Sequence, residues 1–359
     1  MASRKSILDL AWNVPEEIYR NDPSYHYSLL SDFRNKGIHF VNEILTPEDK
    51  KPSKSLVFGS LFDAMLTDPD KLNIFENVGS ASDVIRLTAT EKKVADYILS
   101  TRGSTFVMDL MDEPDIIVNY FLECGAYANL KPETILDGHG YKVIEYIRNV
   151  TKSTPEKLQI TEEDWVDALE CKAAIMSSPM RHYFEALPFD GDVERVFQMK
   201  LKFQDPRSGI IYRIMLDSVY VDHDAKTIQP NDVKTTSSYE DEFYNSFLKW
   251  NYDIQARLYW RGLYMAIKDD PYFKDFTVLP FQFLVVSRHS KTPMIWRYDD
   301  CAKTGELVYK RRNGSVVVLD DPFDLGMKLQ RAADRATPIP EGISVMAPNS
   351  IEHWIENGS

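Results

Sequence analysis

The sequence is poor in cysteine, in long apolar runs and in positive charge, and each shortage bears on what the protein can be. Its three cysteines, Cys124, Cys171 and Cys301, stand far apart and form no pair spacing suited to zinc or an iron–sulfur cluster. They fit reduced thiols in a cytoplasm rather than a disulfide framework. No run approaches the ~18 apolar residues of a membrane span. The start, MASRKSILDLAWNVPEE, is interrupted by Asp9 before the apolar region of a signal peptide could form, so a soluble cytoplasmic protein is expected. A formal net charge of -13 argues against a grip on nucleic acid through global electrostatics. It leaves open a carboxylate-rich cleft that binds phosphate through divalent cations. Internal repeats and low-complexity tracts are also lacking. What the chain does have is 43% hydrophobic residues, 12% of the total being aromatic, which is enough for a sizeable core in 359 residues.

Residues 1–55 are polar and aromatic. SYHYSLLSDFRNKGIHFVNEIL reads as a short helix with Ser31 as its N-cap candidate, and TPEDKKPSKS as a loop. SLVFGSLFDAMLTDP then gives a helix with Asp63 on its apolar side. From about 80 to 185 the pattern is helical and suggests an insertion or lobe. Its last segment opens with Thr161 three residues before Asp164, a capping-box-like start. The period then changes from 3.6 to 2. DVERVFQMKLKF puts Val193, Arg195, Phe197, Met199, Leu201 and Phe203 on one face, with Glu194 and Gln198 on the other. IIYRIMLDSVYV, apolar on both faces, reads as a central strand. The third strand is TIQPNDVKTT, which Pro230 should make an edge or bulged strand. One long helix through EDEFYNSFLKWNYDIQARLYWRGLYMAIK and a buried strand, LPFQFLVVS, follow. Residues 291–359 form an extension of mixed strand and helix.

An acid two residues before a lysine occurs six times, at Glu48/Lys50, Asp49/Lys51, Glu91/Lys93, Glu170/Lys172, Asp224/Lys226 and Asp232/Lys234. Only the last falls in a strand, where alternation places both side chains on one face. Asp217, on the preceding strand with Met215 and Val219, is an ionised group among apolar neighbours and needs a cation. That cation is either a salt-bridge partner, Lys234 or Arg213, or a metal. A hairpin can bring Asp217 beside Asp232, and the Val233 carbonyl would complete an oxygen set suited to Mg²⁺ or Mn²⁺. Glu194 is a further ligand candidate, or a solvated acid. Lys200, Lys202, Arg213, Arg257, Arg261 and the basic turn YKRRNG are candidate phosphate contacts, or simply solubilising charge.

The order helix, three strands carrying D and D-x-K, helix and strand resembles the PD-(D/E)XK nuclease core. Asp217 matches the first motif acid, with Leu216 where the motif has proline; Asp232 and Lys234 match the second acid and the lysine. Gln255 and Tyr259 in YDIQARLYW look like the Q-x-x-x-Y motif of the RecB-like and RecE-like branch, and FGSLFDAML resembles its first-helix motif, with Asp63 where many relatives have histidine. The resemblance covers roughly residues 25 to 290. It implies an α/β, restriction-endonuclease-like core over 56–290, interrupted by the helical insertion. It also implies a Mg²⁺-dependent deoxyribonuclease, with Mn²⁺ substituting. In that scheme Asp217, Asp232, the Val233 carbonyl and Asp63 hold metal, Lys234 orients water and counters charge, and Gln255 and Tyr259 position the site. Relatives of the RecE type degrade one strand of duplex DNA from its ends and work as rings. A single-strand annealing protein as partner, and a host cytoplasm if a phage encodes the chain, belong to the same expectation. A structure-specific endonuclease and a catalytically silent DNA- or protein-binding module are the alternatives.

Overall fold

The computed structural model describes residues 4–38, 41–45, 52–77, 85, 87–102, 110, 113–152, 157–188, 190–310 and 313–335. The chain is mixed α/β and divides into two compact units. One comprises Met1–Ser53, Met65–Asp68 and Glu170–Ser359; the other comprises Lys54–Ala64 and Pro69–Leu169.

Along the chain, α1 (Glu16–Asn21), α2 (Tyr27–Lys36) and α3 (Val41–Leu45) precede α4 (Lys54–Thr67), whose residues to Ala64 open the second unit. That unit continues with β1 (Phe75–Asn77), α5 (Ala89–Arg102), α6 (Ile116–Glu123), α7 (Pro132–Ile135), α8 (Tyr141–Lys152) and β2 (Leu158–Ile160), which pairs in parallel with β1. Its core gathers Val94, Ile98, Ile117, Phe121, Val143 and Ile147, the apolar stripes of amphipathic helices. Helix α9 (Glu162–Met176) begins with the expected cap: the Asp164 amide donates to Thr161 Oγ1 at 3.2 Å.

The first unit is built on a mixed sheet of β3 (Val193–Gln204), β4 (Ile211–Asp222), β5 (Thr227–Thr236), β6 (Thr277–Val278), β7 (Phe281–Ser287) and β8 (Pro293–Tyr298). The order is β3-β4-β5-β7-β8, with β6 beside β5. Pairing is antiparallel except between β5 and its neighbours β6 and β7. A parallel neighbour requires a crossover, and α10 (Phe243–Lys249) and α11 (Tyr252–Ile267) supply it. Helix α11 lies very close to the sheet. A Cβ on Gly262 would fall 2.5 Å from Phe203 Cε1 and 2.6 Å from Ile214 Cδ1, so only glycine fits that contact. A separate hairpin, β9 (Leu307–Lys310) and β10 (Val316–Leu319), and α12 (Pro322–Arg335) complete the unit. Among the described residues no helix is long and apolar enough to cross a membrane.

Four local expectations are corrected. The single long helix is two, because Asn251 takes a left-handed φ of 55° and donates its side-chain amide to Ser31 Oγ and Asn35 Oδ1. Ser31 is therefore a buried mid-helix residue, and α2 starts at Tyr27 after His26. Strand β5 is central despite Pro230. The proline nitrogen faces Leu279 and Pro280, between β6 and β7, where the chain makes no ladder bond that a missing N–H could break. Finally, β3 does not keep one face throughout. Val196 is buried in the core ahead of Gln198, and Met199 and Leu201 are buried after it.

Candidate active site

The ladder between β4 and β5 runs from Asp222↔Thr227 to Ser218↔Asn231 and ends there, while β5 continues along β7 from Asn231 to Thr236. The two strands therefore part where Asp217 and Asp232 would have faced each other. Beyond the parting, the N-terminal segment occupies the edge of β4. The Tyr25 amide donates to the Ile211 carbonyl at 2.9 Å and the Arg213 amide to the Tyr25 carbonyl at 2.8 Å. Asp217 spans the fork, its Oδ2 accepting the Val233 amide at 2.9 Å. The N–H and C=O of one strand residue point to the same edge, so the Val233 carbonyl faces the fork as well.

On β5, alternation places Asp232 and Lys234 side by side, and the Lys234 ammonium rests against Asp232 Oδ2. Asp232 is 2% exposed. Its other oxygen accepts from Gln255 Nε2 at 2.5 Å. Helix α11 presents Tyr252, Gln255 and Tyr259 to this cluster at i, i+3 and i+7, one helical face. Lys234 Nζ sits 5.1 Å from the Tyr252 ring centroid, and buried Tyr259 meets Phe281 edge-on at 6.2 Å. Burial alone would lower the Lys234 pKa; Asp232, Tyr252 and Asp217 outweigh it and hold the ammonium above its ordinary value. Burial, with Tyr19 and then the two acids nearby, raises the Tyr259 phenol and keeps it neutral.

Asp217, Asp232, Val233, Lys234, Gln255 and Tyr259 are thus brought together. Glu194 is not with them. Its carboxylate accepts from Ser6 Oγ, from the Ile7 amide at 3.2 Å and from His223 Nε2 at 3.3 Å, fastening the N-terminal segment to β3. Asp63 lies half-buried on α4, in the second unit. The basic candidates are committed to protein partners. Lys200 donates to the Val14 carbonyl at 2.8 Å, and Lys202 pairs with Asp22 at 2.5 Å. Arg213 is buried against the carbonyls of Arg20 and Ser24. Arg257 and Arg261 converge on buried Asp321 at 3.2 and 2.7 Å. In the basic turn, Arg311 and Arg312 lie outside the described residues.

Beyond Tyr259, sequence reasoning missed the tyrosines around the site. Tyr252 carries a legible signal, since it falls three residues before Gln255 on the same helical face. Tyr19 and Tyr27 carry none: Tyr27 donates to the Trp250 carbonyl, and Arg213 lies 5.4 Å over the Tyr19 ring, both through tertiary contacts alone.

Three oxygen donors could hold a cation here, the two carboxylates and the Val233 carbonyl. Asp232 Oδ2 is taken by the Lys234 ammonium, and Gln255 Oε1 is buried without a hydrogen-bond partner. A buried oxygen of that kind suits a hard divalent ion or ordered water. Among the described residues no group of three or more His, Cys, Asp and Glu gathers to hold a metal, so a bound ion would rely on the carbonyl and on water for its remaining ligands. No family model matches the chain, and no curated protein matches it.

Proposed function

We propose that the protein is a Mg²⁺-dependent deoxyribonuclease of the PD-(D/E)XK superfamily, most similar to RecE-type exonucleases and acting on the ends of linear duplex DNA. In this reading the first unit is a restriction-endonuclease-like core. The observation that carries it is the fork: two strands that separate at Asp217 and Asp232, with Lys234 and Gln255 both on Asp232. A structural ion pair would not require the ladder to open at that place.

A divalent cation held by Asp217, Asp232 and the Val233 carbonyl would supply Lewis-acid polarisation of the scissile phosphate and a more acidic bound water. The chain's own residues do the rest. Lys234, kept protonated by the two acids, acts as a fixed cation that donates to a phosphate oxygen and counters its growing charge; it does not serve as a general base. Gln255 fixes one oxygen of Asp232 and so the direction in which the other points. Asp217 is held by the Val233 amide, which ties the aim of one acid to the strand carrying the other. Tyr252 and Tyr259 close the helix side of the site.

Incubation of end-labelled linear duplex and covalently closed circular DNA with Mg²⁺, Mn²⁺ or EDTA tests the reading. Loss of linear DNA from its ends with either metal, an intact circle and no cleavage in EDTA are expected. Nicking of the circle would make the protein an endonuclease of the same chemistry. Binding without cleavage would make it a silent module, and cleavage that persists in excess chelator would overturn the metal-dependent assignment.

A further inference from the structure

The register between β3 and β4 is continuous from Val193↔Asp222 to Gln204↔Ile211 except at one place, Gln198 and Asp217. Gln198 has a left-handed φ of 52°, in the middle of a strand where a non-glycine residue rarely adopts one. At this step β3 changes the face it buries: the core takes Val196 and then Met199 and Leu201, an interval of three where a regular strand would bury every second residue. Opposite it, β4 keeps its alternation through Leu216, Asp217 and Ser218, the first and last fully buried and Asp217 partly exposed. The Gln198 side chain is anchored as well, its Nε2 donating to Thr67 Oγ1 at 3.0 Å.

We propose that Gln198 is a positioning residue for Asp217: its left-handed backbone opens the β3–β4 ladder at the one register position occupied by that acid. The opening lets the Asp217 carboxylate lean across the fork onto the Val233 amide. With an extended residue at 198, the ladder would close across 198 and 217, hold Asp217 in line with its neighbours and leave the Val233 amide without this acceptor. Backbone strain kept at such a place is consistent with a role in the site rather than in stability. The inference rests on the nuclease reading for its effect on turnover, and on geometry alone for its effect on Val233.

Two substitutions separate backbone from side chain. Gln198→Gly accepts the left-handed conformation and removes the bond to Thr67; Gln198→Val, being β-branched, resists that conformation and favours the extended one. Two readouts are taken on each: hydrogen exchange of the ¹⁵N-labelled Val233 amide, and kcat and KM on linear duplex with Mg²⁺. In Gln198→Val the Val233 amide should exchange faster than in wild type and kcat should fall roughly 10²-fold, the cost of about 1 Å of misplacement, with little change in KM. Gln198→Gly should keep both within about twofold of wild type, as for a substitution that disturbs no contact of the site. A Gln198→Val protein that retains Val233 protection, or a Gln198→Gly protein that loses it, overturns the proposal. If wild type cleaves no DNA, the nuclease reading fails, while the Val233 exchange still decides the positioning role.

Discussion

In the proposed nuclease each residue at the fork has a distinct job, and substitutions should separate them. Asp217→Asn and Asp232→Asn should abolish cleavage and weaken Mn²⁺ binding by calorimetry while the thermal unfolding curve stays cooperative. Lys234→Ala should lose turnover by roughly 10²-fold or more, the scale of one lost electrostatic stabiliser of the transition state, with Mn²⁺ affinity little changed. The pH dependence of Lys234 follows from its raised pKa. A cation held above its ordinary value of 10.5 contributes stability that is complete below that value and is lost only as pH rises through the higher folded one. Lys234 should therefore add no alkaline limb to the pH–rate profile below about pH 10, and an ionisation of Lys234 near neutrality would contradict its role as a fixed cation. The acids, the lysine and Gln255 were legible because alternation in a strand and i, i+4 spacing in a helix fix which side chains share a face. Glu194 was misjudged because those rules assign a face but not a partner: it is taken up by Ser6, Ile7 and His223, residues remote from it in sequence.

At the scale of elements, two departures from regular strand and helix sit next to the site, and both are left-handed residues, Gln198 and Asn251. Sequence patterns assume an unbroken period, so a residue that resets the period is invisible to them. Asn251 is a tolerated choice for that conformation, and its substitution by valine should destabilise the protein by about 1–3 kcal/mol in denaturant titration, with Asn251→Gly closer to wild type. The N-terminal segment, a separate piece by sequence pattern, supplies Tyr25 to the edge of β4 and places half-buried His26 beside Arg213. Burial first, and then the Arg213 charge, lower the His26 pKa from 6.5 to about 4. The unfolded chain thus binds the proton more readily, and stability should fall as pH drops from about 6.5 towards 4. His26→Gln should flatten that part of the stability profile, measured by urea midpoints across the window; an unchanged slope would place the acid sensitivity elsewhere. The arginines Arg257 and Arg261, candidates for DNA contact by position, instead bind Asp321 ahead of α12. Asp321→Ala should cost about 3–5 kcal/mol, because it strands two buried cations.

For the whole molecule, the sequence pattern indicated helices, then strands, then a crossover helix and a further strand, and the sheet order β3-β4-β5-β7-β8 has that succession. It did not show that the N-terminal and C-terminal segments belong to the same compact unit as the strands, since that depends on contacts between residues hundreds of positions apart, such as Arg34 with Asp253 at 2.9 Å. A net charge of -13 and the commitment of Lys200, Lys202, Arg213, Arg257 and Arg261 to protein partners take these five out of any contact with a polyanion. In the proposed nuclease the divalent ion would then carry much of the affinity for DNA, and a ring of subunits would concentrate what basic charge remains in one channel. The measurement that tests the account most directly is Mg²⁺-dependent hydrolysis of end-labelled duplex DNA by wild type and by Asp217→Asn, run side by side on proteins shown to be folded. Metal-dependent release of nucleotides by wild type and none by Asp217→Asn is the expected result. Equal hydrolysis by the two proteins, or hydrolysis by neither, would contradict the assignment of the fork between β4 and β5 as a nuclease centre.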